Sequence, residues 1–167
     1  MSQNKENLIL VGMPGSGKST LGVLLAKDLV KQFCDTDILI QELTNEPLQT
    51  TIDRDGYMKL REIEERALLL VDFQDTVVAT GGSAVYSDKG MQHLKSTGRV
   101  IYLSVSLEEL LERIPDMETR GIAMKPGQSF ADLYEERCGL YRQYSDITIN
   151  CDSQTPHETL ASILKQL

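Results

Sequence analysis

Cysteine is scarce in this 167-residue chain, which has only Cys34, Cys138 and Cys151. The number is odd, the three lie far apart and no Cys-x-x-Cys pair occurs, so neither a zinc ligand set nor a disulfide framework is indicated. Buried free thiols in a reducing cytoplasm are expected instead. Positive charge is also in deficit: 17 lysines and arginines stand against 25 aspartates and glutamates, a net charge of -8. Nucleic-acid backbones are held by basic surfaces, so no nucleic acid is expected as a partner. A small anionic substrate needs only a few local cations and stays open. No apolar run approaches the roughly 20 residues that span a bilayer, and residues 1–7 are polar, without the apolar core of a secretory signal. No membrane partner is expected. Internal repeats, low-complexity segments and interdomain linkers are missing too. One domain over 1–167, working as a monomer, is the expectation.

What is present is an alternation of short apolar runs and amphipathic stretches. Buried strands are predicted at 8–11, 76–80 and 99–105 from their β-branched and apolar residues, and further strands just before Asp35 and, from alternating β-branched residues, at 146–150. Helices are predicted at 19–30, 38–43, 57–71, 107–114, 129–144 and 156–167, with a new start at Pro47. Ser106 reads as the N-cap of the helix over 107–114, and Thr155-Pro156 as the opening of the last helix. The segment 115–127 holds two prolines and Gly121 and reads as a loop. Strands alternating with helices imply a parallel sheet with helices on both faces.

Directly behind the first predicted strand stands Gly12-Met13-Pro14-Gly15-Ser16-Gly17-Lys18-Ser19-Thr20. It fits G-x-x-x-x-G-K-S/T with the strand before and the helix after that this motif demands. Glycines let the backbone turn its N–H groups onto phosphate oxygens, and the following helix presents its positive end to the same group. Lys18 is expected to reach the β- and γ-phosphates, and the Ser19 hydroxyl to ligate Mg²⁺. The predicted ligand is therefore ATP with Mg²⁺, on a P-loop sheet of five parallel strands between two helical layers.

Asp35-Thr36-Asp37 ends the second predicted strand. Two carboxylates at a strand's carboxyl end point toward the crevice where ligands sit in such sheets. One suits Mg²⁺ or its waters, the other a substrate hydroxyl. A plain strand-to-helix corner with Asp37 or Thr36 as N-cap is the alternative, and alone it would be preferred.

The motifs do not stand alone. With GMPGSGKST at 12–20, DTD at 35–37, DGYMKLREIEE at 55–65, VVATGG at 77–82, Arg120 in the loop at 115–127 and RCGLYRQYSD at 137–146, the sequence resembles the shikimate kinases nearly end to end. The resemblance implies an α/β/α kinase whose loop at 115–127 is a mobile lid. It implies that Asp37 binds the acceptor hydroxyls and serves as base, and that Asp35 acts on the magnesium side. Arg61 and Arg137 would clamp the acceptor carboxylate, with Gly81 and Gly82 beside it and a Gly82 N–H donated to it. Arg120 would fold over the phosphates, and Arg113 would lie against the adenine. Guanidinium forks suit a planar carboxylate, and Glu64 and Glu65, one turn beyond Arg61, are expected to orient it.

Simpler readings stand beside each: Arg61 solvated on a charged helix, Arg137 paired on the surface with Glu135 or Glu136, Arg113 a helix C-terminal cation, His93 and His157 on the surface. Three departures from the family pattern bear on the acceptor. Ser83 replaces a third glycine, the lid reads Thr119-Arg120-Gly121-Ile122-Ala123 where the family has Arg-Pro-Leu-Leu, and Cys138-Gly139-Leu140-Tyr141 lacks a proline. Gly121 predicts a looser hinge. Shikimate is the expected acceptor. A different hydroxylated acid, sugar acid or amino alcohol is the alternative, and a nucleotide-binding regulator without transfer activity a third. Acceptor-dependent ADP release separates them.

Overall fold

The computed structural model describes residues 6–115 and 121–167. Its strands are β1 (Asn7–Val11), β2 (Gln32–Asp35), β3 (Thr76–Ala79), β4 (Gly98–Ser104) and β5 (Ile147–Asn150). They form one all-parallel sheet in the order β2, β3, β1, β4, β5. β1 is central and buried at all five positions. A strand covered on both faces has no polar side to alternate with, which is why it reads as a continuous apolar run. Asn7 is the exception in composition, and it is bonded at both ends: Nδ2 donates to Phe73 O at 2.6 Å, and Oδ1 accepts from Thr76 N at 2.9 Å.

The helices are α1 (Lys18–Leu29), α2 (Thr36–Thr44), α3 (Leu48–Asp55), α4 (Tyr57–Leu69), α5 (Asp88–Thr97), α6 (Leu107–Arg113), α7 (Phe130–Tyr144) and α8 (Pro156–Leu164), with a 3₁₀ turn at Ala84–Tyr86. α1 packs on α8, and α4 packs on α5, on opposite sides of the sheet core. Helices α2, α3 and α4 enclose a second apolar cluster of Ile40, Leu60, Ile63, Ala67 and Ala123. Ala123, from the segment after the lid, ties that segment to the same cluster.

Several predicted ends shift by one to three residues. Helix α1 stops at Leu29 because Val30 turns left-handed at φ 55°. Helix α2 begins earlier than predicted, at Thr36, because the Asp35 carboxylate caps it by accepting from Asp37 N at 2.9 Å. The predicted caps at Ser106 and Thr155 are present, and Thr155 makes a full capping box with Glu158. α5 and the 3₁₀ turn were not anticipated. His93, read as a surface residue, is half-buried and its Nε2 lies 2.7 Å from Val71 O, joining α5 to the end of α4. His157 is exposed. Cys138 and Cys151 are buried free thiols and Cys34 is half-buried.

The chain runs from β1 to β2 and β3 on one side, then crosses β1 to reach β4 and β5 on the other. The crevice at the carboxyl end of β1 is where such a sheet binds its ligand.

Candidate active site at the carboxyl end of the sheet

A cleft of about 380 Å³ opens there, lined by the phosphate loop, Asp37, Glu64, Gly81, Gly82, Arg113 and Arg137 among others. The loop leaves β1 at Gly12 and enters α1 at Lys18. Gly15, at φ 82°, shows why glycine is needed: a Cβ there would lie 2.7 Å from Ile114 Cγ1. Ser16 is buried and its N–H donates to Met13 O at 3.1 Å, closing the turn. Gly17 is the N-cap of α1, without any side-chain cap on the helix. The first-turn N–H groups are thereby left facing the cleft, the arrangement that favours a bound anion. Thr20 and Ser19 are exposed at the cleft wall. Lys18 is buried and its Nζ donates to Gly12 O at 2.7 Å and Met13 O at 2.9 Å, so the ammonium arches over the loop. Burial pulls its pKa down to about 8, against the attraction of Asp37.

The acidic wall comes from the end of β2. Ser19 Oγ donates to Asp35 Oδ2 at 2.6 Å. These two hard oxygen donors are adjacent, the donor set Mg²⁺ takes when phosphate and water supply the rest. Among the described residues no cluster of three or more His, Cys, Asp or Glu suits a metal. Asp37 points into the cleft with its pKa pushed up to about 6, by burial first and by Asp35 second. The plain corner reading is therefore half right: the cap is Asp35, and Asp37 is left free of that task.

Gly81 sits between two carboxyls. A Cβ at this position would meet Glu64 Oε1 and lie 2.7 Å from Asp37 Oδ1. Its N–H donates to the buried Thr36 hydroxyl at 3.1 Å, which fixes β3 against the start of α2. Glu64 is 2% exposed, and burial raises its pKa to about 7. Ser83 Oγ donates to Glu64 Oε2. Ser87 Oγ donates to Glu65 Oε2 at 2.6 Å. The expectation that Glu64 and Glu65 orient Arg61 is corrected here, because both carboxylates are engaged by serines across the groove.

Opposite lies the cationic wall. Arg137 is 1% exposed, which overturns its surface reading. Its Nη2 donates to Ala123 O at 2.8 Å, Nε has no partner, and Nη1 would be 2.8 Å from a Cβ at Gly82. Arg61 is half-buried, with Nε and Nη2 buried and unpartnered. Its guanidinium stacks over Tyr86, 3.5 Å from the ring centre, and lies 5.1 Å from the Tyr57 ring. Solvation on a charged helix is thus also excluded for Arg61, which is not among the residues that line the cleft. Arg113 closes α6, donates Nη1 to Gly15 O at 3.4 Å and Nη2 to Glu109 Oε1, and lines the cleft beside the phosphate loop. Arg120 falls outside the described residues. Gly121 has φ 63° and donates its N–H to Gln49 Oε1 at 3.0 Å, and a Cβ there would lie 2.7 Å from Leu48 Cβ. Glycine at 121 is thus a packing requirement against α3, where a loosened hinge was expected.

A protein-family model described as shikimate kinase matches residues 14–167. The chain belongs to the shikimate kinase family. A shikimate kinase of Pseudomonas paraeruginosa is 38% identical over 164 residues, covering 96% of this chain and 95% of that one. One of a Sulfurihydrogenibium species is 34% identical over 163 residues, covering 97% and 98%. Among solved structures, the shikimate kinase of Acinetobacter baumannii in complex with shikimate superposes with a TM-score of 0.87 at 30% identity, covering 96% of this chain and 92% of that one. Within this shikimate kinase fold, three contributors to the site escaped the sequence reading. Tyr141 is buried and donates its hydroxyl to Gly82 O at 2.5 Å. Tyr86 carries Arg61. Glu64 was noticed only as a neighbour of Arg61, although it occupies the same face of α4 as Leu60, Ile63 and Ala67. A carboxylate on an apolar stripe is the signal that could have found it.

Proposed function

We propose that this chain transfers the γ-phosphoryl group of ATP to a hydroxyl of shikimate, giving shikimate 3-phosphate and ADP. One observation carries the reading: Gly81 and Gly82 are flanked by the Asp37 carboxylate and by the Arg137 guanidinium, at the mouth of a phosphate loop. A hydroxylated carboxylate is the molecule those two walls fit. Its carboxylate would satisfy the orphaned N–H groups of Arg61 and Arg137, whose desolvation is otherwise uncompensated. Its hydroxyl would face Asp37.

The loop amides and the first turn of α1 hold the β- and γ-phosphates. Lys18 exchanges its loop carbonyls for phosphate oxygens and follows the charge as it moves to the bridging oxygen. Ser19 and Asp35 would hold Mg²⁺, which when bound neutralises charge on the β- and γ-phosphates. Asp37 takes the hydroxyl proton as the acceptor oxygen bonds to the γ-phosphorus and the β–γ bridging bond breaks toward ADP. Arg113 borders the nucleotide, and Arg120 is assigned to the lid over the phosphates. A monomer is part of the same reading. The free thiols are consistent with the cytoplasm.

The test is coupled ADP release by purified protein with ATP, Mg²⁺ and an acceptor panel. Shikimate-dependent turnover is expected. ATP binding with turnover only on another hydroxylated acid would transfer the reading to that acid, the alternative favoured by the Ser83 side chain in the cleft wall. ATP binding with no turnover on any acceptor would leave a nucleotide-binding regulator.

A further inference from the structure

We propose that Tyr86 is the positioning residue of the acceptor site: one aromatic ring holds both carboxylate-binding guanidiniums in register. The Arg61 guanidinium lies 3.5 Å from the Tyr86 ring centre and that of Arg137 lies 5.4 Å from it. The two arginines come from different helices, α4 and α7, and Tyr86 comes from the 3₁₀ turn between β3 and α5. No carboxylate pairs with either arginine among the described residues. Glu64, which could serve Arg61 at one helical turn, is bonded by Ser83 instead. Glu64 and Glu136 stand near enough to attract these cations without forming an ion pair with them, and the group in direct contact is the face of an electron-rich ring.

That choice has a chemical consequence. A carboxylate partner would occupy the same fork the acceptor must use. A ring attracts the cation through its face and leaves the in-plane N–H donors free, as they are at Arg61 Nε and Nη2 and at Arg137 Nε. The ring is itself anchored: Tyr86 Oη donates to Glu136 Oε1 at 2.6 Å, and Glu136 accepts also from Gln128 Nε2 at 3.4 Å. Hydrogen bonding to a carboxylate polarises the phenol and makes its ring a better partner for a cation. Glu136 precedes Arg137 on α7, so the phenol also ties the 3₁₀ turn to the helix that carries the second guanidinium.

The inference rests on the shikimate reading only in the identity of the acceptor. In Tyr86→Leu, KM for shikimate should rise about tenfold or more, the factor that one or two partly buried cation–π contacts represent. kcat should stay within about threefold and KM for ATP should not move. Tyr86→Phe keeps the ring but loses the anchoring hydroxyl, so its KM for shikimate should lie between those of the parent and Tyr86→Leu. A Tyr86→Leu protein with unchanged shikimate KM, or with ATP KM raised equally, overturns the proposal, as does a Tyr86→Phe protein as impaired as Tyr86→Leu. An acceptor-free measurement decides it independently. The Nε–H resonances of Arg61 and Arg137 should carry a ring-current shift in the parent and in Tyr86→Phe that is markedly reduced in Tyr86→Leu, where for Arg61 only the more distant Tyr57 ring remains. If the parent fails to phosphorylate shikimate, the substrate reading falls while this shift still decides the role of Tyr86. Equal shifts in the parent and in a folded Tyr86→Leu protein refute that role. A Tyr86→Leu protein that does not fold refutes it as well, since the residue would then serve stability; circular dichroism reads this.

Discussion

In the proposed transfer, Asp37 is the residue on which the chemistry turns. Its carboxyl is drawn up to about 6 because burial and the neighbouring Asp35 both penalise its charge, while Lys18 is drawn down to about 8 because burial penalises an ammonium. The transfer needs the first deprotonated and the second protonated. kcat/KM, which reports the free enzyme, should therefore fall below about pH 6, where Asp37 gains its proton, and above about pH 8, where Lys18 loses one. A profile flat from pH 5 to 7 would contradict Asp37 as the base. Asp37→Asn should lower kcat by roughly 10²- to 10⁴-fold, the usual weight of general base catalysis, and should erase the acid limb from the residual activity. Titration of ATP into that variant should give an affinity close to the parent's.

At the scale of elements, the strand-to-turn junction after β3 is built for close approach. Gly81→Ala pushes a methyl between Glu64 and Asp37. Overpacking of this kind costs about 1–3 kcal/mol, and here it also displaces the base. We expect both a lower melting temperature and a kcat/KM reduced by roughly tenfold or more, an amount consistent with small misplacement of reacting groups. A melting curve and rates like the parent's would show that the junction has slack. The start of α7 offers the contrast. Ser129 and Asp132 form a capping box, so Ser129→Ala should cost about 1 kcal/mol. That corresponds to a fall of roughly 2–4 °C for a chain of this size. Arg137 lies more than two turns farther along the helix, and kcat should be unchanged within about twofold.

For the whole molecule, the division into a phosphate end and an acceptor end is testable by linkage. A ligand at about 100 times its Kd stabilises the native state by about 2.7 kcal/mol, several degrees of melting temperature here. Lys18→Ala should abolish turnover and lose most of the shift with ATP while keeping that with shikimate. Arg137→Ala should do the reverse. Loss of both shifts in Arg137→Ala, in a protein that still melts cooperatively, would mean that the two ends are not separate units.

Local rules suffice for the phosphate loop, because a tight anion cradle demands glycines at fixed intervals between a strand and a helix. They suffice as well for the buried strands, whose residues must be apolar on both faces, and for the caps at Ser106 and Thr155, where a side chain serves a backbone group three residues on. α5 was not legible because only Gly90, Met91 and Leu94 of its ten residues are buried, too short a stripe to show a period. The family resemblance marked Asp37, Arg61 and Arg137, but not what holds them. That Ser83 takes Glu64 from Arg61, and that Tyr86 underlies two guanidiniums, are contacts between groups remote in sequence. The order of residues determines which backbone turns can form and which faces must leave water. Which buried charge meets which partner is decided only when helices, strands and turns pack, because desolvation and hydrogen-bond geometry act between whatever side chains the sheet brings together.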